Sequence, residues 1–570
     1  MTSSASGLAV DLHTRHHETL DRALTAIRER TYWSAYSESL KAYGPEGSPG
    51  SLSADDGRAA FEAYLGHPFP MAQDGSDRQV GEERSPYGID LGVTYPHLDV
   101  DAAIEAAQAG MERWRDAGPD QRAGVVLEIL ARINARSHEI AQAVMHTSGQ
   151  AYAMAFQAGG PHAQDRALEA VAYSYAEMTR HSAHAVWEKP QGKRPSQRMA
   201  KKFTVVPRGV ALVIGCNTFP TWNSYPGLFA SLVTGNAVVV KPHPSAMLPL
   251  AVTVAICRDV LTEAGFSPDL VTLAPEAPGE GLAKVLALRA EVKVIDYTGS
   301  TGFGTWLEHN ALQASVFTEK AGVNSVVIDS TDDYQGMLAN LAFSLSLYSG
   351  QMCTTPQNLL IPRDGITADG HRRSVDDVAA DLAGALDDLL GNEQRALALL
   401  GAVVNDGVVE RLDAASAKGT VVLASRALSH PDFPGAVIRT PAVLLLDKAD
   451  EETYLTECFG PVSFLVTTDS TADSIRILRE SVRDHGAITA SVYSTDESVL
   501  AETERAALDS GVALSCNLTE TVYVNQSAAF SDFHATGANP AANAALTDAA
   551  YVASRFRIIQ SRRHLRTEPV

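Results

Sequence analysis

Four short runs in the middle of the chain limit what it can fold into. They are Val210-Ala211-Leu212-Val213-Ile214, Ala237-Val238-Val239-Val240-Lys241, Leu270-Val271-Thr272-Leu273 and Val292-Lys293-Val294-Ile295-Asp296-Tyr297. Each is short and largely apolar, as a strand covered on both faces must be. Helical stretches lie between them, one from Pro226 to a stop at Gly235-Asn236, another through Cys257 and Leu261 to Gly265. Strands alternating with helices predict an α/β fold with a parallel sheet, whose ligands bind at the carboxyl ends of the strands.

A second alternating unit starts at Ser325. It has a strand over Val326-Val327-Ile328-Asp329, a helix from about Tyr334, and later strands at 442–446 and 462–466. Upstream, Ala103, Ile104, Ala107 and Met111 mark one amphipathic helix, and Pro119 opens the next at its tolerated first position. A third helix is expected over 161–181. Residues 183–208 are polar and basic and read as a protruding hairpin or an exposed loop. Residues 1–95 read as an appendage, with a helix marked by Leu20, Ala23, Leu24 and Ile27 and a second over 54–65. The stretch 44–51 between them has loop composition, and the cluster His13, His16, His17 reads as a solvated helix face. The tail 551–559 reads as extended.

The chain has 570 residues and a net charge of −22, which argues against a nucleic-acid or anionic-membrane partner. No apolar run approaches the roughly 18 residues of a spanning helix. The first residues lack a basic segment followed by an apolar core, so no secretory signal is expected. Cys216, Cys257, Cys353, Cys458 and Cys516 are odd in number and widely spaced. That favours neither a disulfide framework nor a metal site, and it suits the cytoplasm.

Ser349-Gly350-Gln351-Met352-Cys353-Thr354-Thr355-Pro356-Gln357-Asn358 sets one cysteine on a polar turn between a helical stretch and the strand-like Leu359-Leu360-Ile361-Pro362. Such a thiol can face a cavity while the scaffold holds it still. To act as a nucleophile it needs help reaching the thiolate, because a free thiol has a pKa of about 8.5. The run Thr298-Gly299-Ser300-Thr301-Gly302-Phe303-Gly304 ends a strand and opens a helix, where free backbone N–H groups suit a phosphate. Lys241 is the polar end of an apolar strand at the same ligand-binding edge.

In this order, the segments Gly235 to Pro242, Tyr297 to Ser300, Thr318-Glu319-Lys320-Ala321-Gly322, Gly350 to Cys353 and Glu457-Cys458-Phe459-Gly460-Pro461 resemble the aldehyde dehydrogenase family over about 95–565. The wording around Cys353 and the long appendage look closest to its branch in bacterial phenylacetate degradation. The resemblance implies a parallel-sheet cofactor domain, an α/β catalytic domain, an oligomerisation hairpin and a helical N-terminal extension. The expected boundaries are 1–95 for the extension, 96–182 with 209–320 for the NAD(P)-binding domain, 321–535 for the catalytic domain, and 183–208 with 536–570 for assembly. A homo-oligomer, dimer or tetramer, is expected.

The implied chemistry is oxidation of a small-molecule aldehyde to an acid through a thioester. Cys353 is the nucleophile, and Glu319, 34 positions before it, activates water. The oxyanion amide is Asn217 with a one-residue shift, or Asn223 in reserve; the direct count falls on Thr218. Lys241 is expected at the adenosine ribose, Gly299 and Ser300 at the pyrophosphate, Glu457 at the nicotinamide ribose and Phe459 beside its ring. Pro244 stands where the family often has an acid, between His243 and Ser245, so a 2′-phosphate meets less repulsion and the reading leans toward NADP over NAD. Trp222, Tyr348, Phe530 and Phe533 are candidate pocket aromatics. The substrate implied is a ring-cleavage semialdehyde, free or CoA-linked. The alternatives are a CoA-acylating aldehyde dehydrogenase and a catalytically silent assembly scaffold.

Overall fold

The computed structural model describes residues 3–48, 50–73 and 75–566. Met1, Thr2, Pro49, Asp74 and residues 567–570 lie outside the described residues, and with them one position of the expected loop and the end of the second assembly segment.

The extension begins with α1 (Ser3–Glu29) and continues to α2 (Ala54–Glu62), which Ser53 and Asp56 close with a capping box. Then come α3 (Val100–Asp116), α4 (Gly118–Ala135), α5 (Ser137–Ser148) and α6 (Ala163–Thr179). α1 lies against α4 so closely that a Cβ on Gly124 would meet the His13 backbone nitrogen at 2.4 Å. The histidine cluster therefore departs from the solvated face expected of it. His16 reaches Glu128 of α4 at 2.9 Å and His13 stacks over Tyr175 of α6, while His17 alone stays exposed.

The basic segment is a hairpin of β1 (His184–Gln191) and β2 (Arg194–Pro207). Next come β3 (Val210–Ile214), α7 (Pro220–Val233), β4 (Ala237–Lys241), α8 (Leu248–Glu263), β5 (Val271–Leu273), β6 (Val292–Thr298), α9 (Thr301–Asn310) and β7 (Ser315–Glu319). α7 starts six residues before the expected Pro226. Pro220 takes the first-turn position, where a missing N–H costs nothing, and Pro226 sits inside the helix. The five strands form one parallel sheet in the order β5-β4-β3-β6-β7. The chain starts in the middle and reverses direction at β3, which opens a crevice between the carboxyl ends of β3 and β6. Ile214 is in register with Lys241 on one side and Tyr297 on the other, so both expected cofactor segments leave the sheet at the same level.

The second unit holds β8 (Ser325–Ile328), α10 (Tyr334–Ser346), β9 (Asn358–Pro362), β10 (Thr420–Leu423), β11 (Ala442–Asp447), β12 (Val462–Thr468), β13 (Thr489–Tyr493) and β14 (Ala513–Cys516). They form a sheet ordered β10-β11-β12-β9-β8-β13-β14, parallel except at β10. The last strand, β15 (Phe556–His564), pairs antiparallel with β2 along its whole length.

The tail is not extended throughout, because Tyr551, Val552 and Ala553 belong to a short helix, Ala549–Ala553. That turn delivers Tyr551 and fully buried Arg555 to Asp296 of β6, where the guanidinium donates to both carboxylate oxygens at 2.6 and 2.7 Å. Losing one partner of such a buried pair costs about 3–5 kcal/mol. Among the described residues no helix is long and apolar enough to cross a membrane.

Candidate active site

Cys353 follows a tight turn that the surrounding chain forces into shape. Tyr348 and Ser349 both adopt left-handed conformations, φ 53° and 49°, a strain of about 1–3 kcal/mol each. The fully buried Tyr348 hydroxyl donates to the Ser148 carbonyl, and Ser349 Oγ lies 3.1 Å from the carbonyls of Leu400 and Arg439. Gly350 has φ 65°, and a Cβ there would meet the Gly460 carbonyl oxygen at 2.4 Å. Past the turn, the Asn324 amide donates to the carbonyls of Cys353 and Thr355 at 2.8 and 3.0 Å. The thiol is half-buried at the edge of a rigid frame.

Glu319 is the last residue of β7 and is buried. Its Oε2 accepts from the Asn223 amide of α7 at 3.2 Å, and its Oε1 stands 3.3 Å from His534 Nε2. The same Nε2 stands 3.7 Å from Cys353 Sγ. Thiol, imidazole and carboxylate thus meet in one cluster, and a cavity lined by Asn223, Thr298, Thr318, Glu319, His534 and Ala535 opens beside it.

Burial, and then the Glu319 charge, push the Cys353 thiol well above its ordinary range. Burial alone would raise Glu319 too, but the contacts with His534 and the thiol outweigh it and hold the carboxylate below its usual value. At rest the site pairs a thiol with a carboxylate, and an imidazole touches both.

His534 carried no signal in the sequence. It sits in an irregular segment 181 positions after Cys353, and no periodicity or spacing marks it. Tertiary contacts alone aim it. The Leu546 amide donates to its carbonyl at 2.8 Å, and its ring meets Trp222 edge-on at 4.7 Å. The extension takes part. Trp33 packs on Phe530 at 4.8 Å, and Arg30 covers the Phe533 ring at 3.9 Å while pairing with buried Glu169 at 2.7 Å. Arg166 also pairs with Glu169 and donates to the Asp532 carbonyl and Ser527 Oγ.

Of the two candidate amides, Asn223 is hydrogen-bonded into the cluster. Asn217 lies half-buried on the loop after β3, and no side-chain hydrogen bond joins it to the other described residues. Of the candidate pocket aromatics, only Trp222 touches the cluster. Tyr348 and Phe530 are core residues, and Phe533 is an exposed loop ring under Arg30.

Lys241 is buried at the end of β4 and pairs with Glu276, whose other oxygen accepts the Leu282 amide at 2.7 Å. Burial lowers the Lys241 ammonium. Burial, and then Lys241, lower His243 to about 4, and its Nδ1 accepts the Ser245 amide at 3.1 Å. Gly299 and exposed Ser300 open α9, which has no side-chain cap, and a Cβ on Gly302 would meet nothing within 4 Å. The Gly299 amide donates to the Glu319 carbonyl at 3.0 Å, but the first-turn amides of α9 stand across the crevice from a lysine, which fits the phosphates and ribose of a dinucleotide. Glu457 is half-buried and raised to about 7, first by burial, with the Gly322 backbone and Arg411 opposing. Its neighbour Phe459 is tethered through its carbonyl, which accepts from Arg411 at 3.0 Å.

Residues 94–548 match the family described as "Aldehyde dehydrogenase family". The crystal structure of an NAD-dependent aldehyde dehydrogenase from Burkholderia multivorans superposes with a TM-score of 0.95 at 58% identity, covering 98% of this chain and 99% of that one. The benzaldehyde dehydrogenase [NAD(+)] of Pseudomonas putida is 24% identical over 66% of this chain and 73% of its own length. The 1-pyrroline-5-carboxylate dehydrogenase of Bacillus licheniformis is 25% identical over 55% of this chain, and the match spans 62% of that relative.

Proposed function

The chain belongs to the aldehyde dehydrogenase family, and we propose that it oxidises an aldehyde to a carboxylic acid through a thioester on Cys353. The observation that carries this reading is the contact of Cys353, His534 and Glu319 beside a cavity that Glu319 and His534 line. Cys353 Sγ attacks the carbonyl carbon and its proton passes to His534 Nε2. The Cys353 backbone N–H and a nearby side-chain amide stabilise the oxyanion, and such stabilisation usually lowers the barrier more than any other single effect. For that amide the geometry favours Asn223 over Asn217. A bound nicotinamide supplies the hydride acceptor. Glu319, ionised at rest, then takes a proton from water and later releases it to solvent; the hydroxide cleaves the thioester, and the proton held on His534 returns to the departing Cys353 sulfur.

Lys241, His243, Ser245, Gly299, Ser300, Glu457 and Phe459 would hold the cofactor. The absence of an acid at 242–245 favours NADP, but Glu276 puts a carboxylate on Lys241 and restores negative charge at that corner. We therefore read NAD as the better fit. The substrate we favour is a ring-cleavage semialdehyde of phenylacetate breakdown, free or CoA-linked, supported by the wording around Cys353. The sheet β15-β2-β1, largely exposed and carrying exposed Val186, Ile558 and Ile559, suits assembly into a homo-oligomer. Five free cysteines suit a reducing, cytoplasmic setting.

The test is reduced-cofactor formation with a panel of aldehydes, with NAD or NADP, with and without CoA, on wild type, Cys353→Ala and Glu319→Gln. CoA-independent oxidation that Cys353→Ala abolishes is the expected outcome. Equal rates for wild type and Cys353→Ala would end this reading. A strict need for CoA, surviving Glu319→Gln, would replace it with CoA acylation.

A further inference from the structure

The contact of thiol, imidazole and carboxylate has a second chemistry. Cys353 Sγ, His534 Nε2 and a Glu319 oxygen lie within 4.8 Å of one another. The S···N separation is 3.7 Å and the N···O separation 3.3 Å. A tetrahedral zinc ion, with bonds of about 2.3 Å to sulfur and about 2.0 Å to nitrogen and oxygen, sets its ligands about 3.5 Å and about 3.3 Å apart. Two of the three edges of a zinc site, S···N and N···O, are therefore already matched to within a few tenths of an ångström, and the third donor pair lies within 4.8 Å.

The three donors come from separate segments, and each is held by its own contact; two of those contacts come from neighbouring residues of α7. The Asn324 amide clamps the Cys353 turn, Trp222 backs the His534 ring, and Asn223 holds the second Glu319 oxygen. The last contact is the outer-shell partner a ligating carboxylate normally keeps. A thiolate with an imidazole selects a soft or borderline cation over magnesium or calcium.

We propose that Cys353, His534 and Glu319 form a reversible inhibitory site for a redox-inert, thiophilic divalent cation of the zinc class. This rests on the reading of Cys353 as the nucleophile, which the ion occupies and silences. On binding, the Cys353 S–H bond breaks and a sulfur–metal bond forms. The proton leaves to solvent and no electron is transferred. One tetrahedral corner remains for water. The other groups facing the cluster are the Cys216 thiol, joined to it through Asn223, and the Arg166 guanidinium over the far partner ring, Trp222, itself paired with Glu169.

The experiment uses the full chain, stripped with chelator and desalted. Cobalt(II) is titrated as the optical probe, and zinc is ranked by competition. One equivalent per chain with a thiolate-to-cobalt charge-transfer band is expected. Cys353→Ser should lose the band, Cys216→Ser should keep it, and His534→Gln should weaken binding by more than about a hundredfold, beyond what losing an outer-shell partner costs. Circular dichroism checks that each variant is folded. Absence of stoichiometric binding, a band that follows Cys216, or unchanged affinity in His534→Gln overturns the proposal. Aldehyde oxidation in chelator by a protein that binds no metal would remove this inference alone. Metal binding without any aldehyde oxidation would remove the oxidation reading and, with it, the inhibitory role, leaving a metal site alone.

Discussion

His534 turns its Nε2 toward Cys353 Sγ at 3.7 Å, across 181 positions of sequence. That nitrogen is a proton acceptor within reach of the thiol, and a positioned acid–base group contributes about 10²–10⁴-fold to rate. His534→Gln should lower kcat/KM by about a hundredfold or more while leaving cofactor affinity within about threefold of wild type. Steady-state kinetics beside a cofactor titration checks this, and an equal loss in both would show a merely structural role.

Glu319 has two effects of opposite direction on Cys353. Its charge holds the thiol protonated, so alkylation of Cys353 by iodoacetamide in the cofactor-free protein should rise with pH, with a midpoint above that of a free thiol. Glu319→Gln removes that charge and should move the midpoint down. The same variant should stall thioester hydrolysis, so that turnover stops after a stoichiometric burst of reduced cofactor. Rapid-quench kinetics with the alkylation profile tests both effects, and an upward move of the midpoint would contradict the electrostatics.

Burial raises Glu457 to about 7, so the folded chain keeps that proton over a pH range where the unfolded chain has lost it. This contribution to stability is present below the unfolded value of about 4.5 and is lost as pH rises toward about 7, at most about 3 kcal/mol and less where water reaches the half-buried group. Glu457→Gln, which does not ionise, should gain on wild type across that window and hold a constant lead above it. Urea midpoints at several pH values give the difference directly.

The extension braces the segment that presents His534. Trp33→Ala removes the edge contact with Phe530 and should cost about 2 kcal/mol, the worth of a partly buried large side chain. Because that loss loosens the loop of His534, kcat should fall more than in Phe61→Leu, a core change in the same extension but away from the loop. Chemical unfolding and kinetics on the two variants separate the effects, and equal kcat values at equal stability would show that the brace is irrelevant to catalysis.

Much of the scaffold was legible because its signals are local. β3, β4, β5 and β6 appear as apolar runs, since each is covered on both faces. Cys353 and Glu319 stood out by their wording and their 34-position spacing. Pro226 misled, because Pro220 had already taken the helix start. The choice between Asn217 and Asn223 depended on which side of the first turn of α7 faces β7, and a count along the chain does not carry that.

The chain order of strands and helices and the cysteine on its polar turn follow from the sequence itself, because each depends on neighbours a few residues away, and the net charge of −22 follows from composition alone. Tertiary structure alone decided that His534, from an irregular loop, would join the thiol and the carboxylate, and that an N-terminal extension would brace that loop. Such contacts arise from long-range packing: from Trp222 behind the imidazole, Arg166 and Arg30 on Glu169, and a sheet whose order reverses at β3.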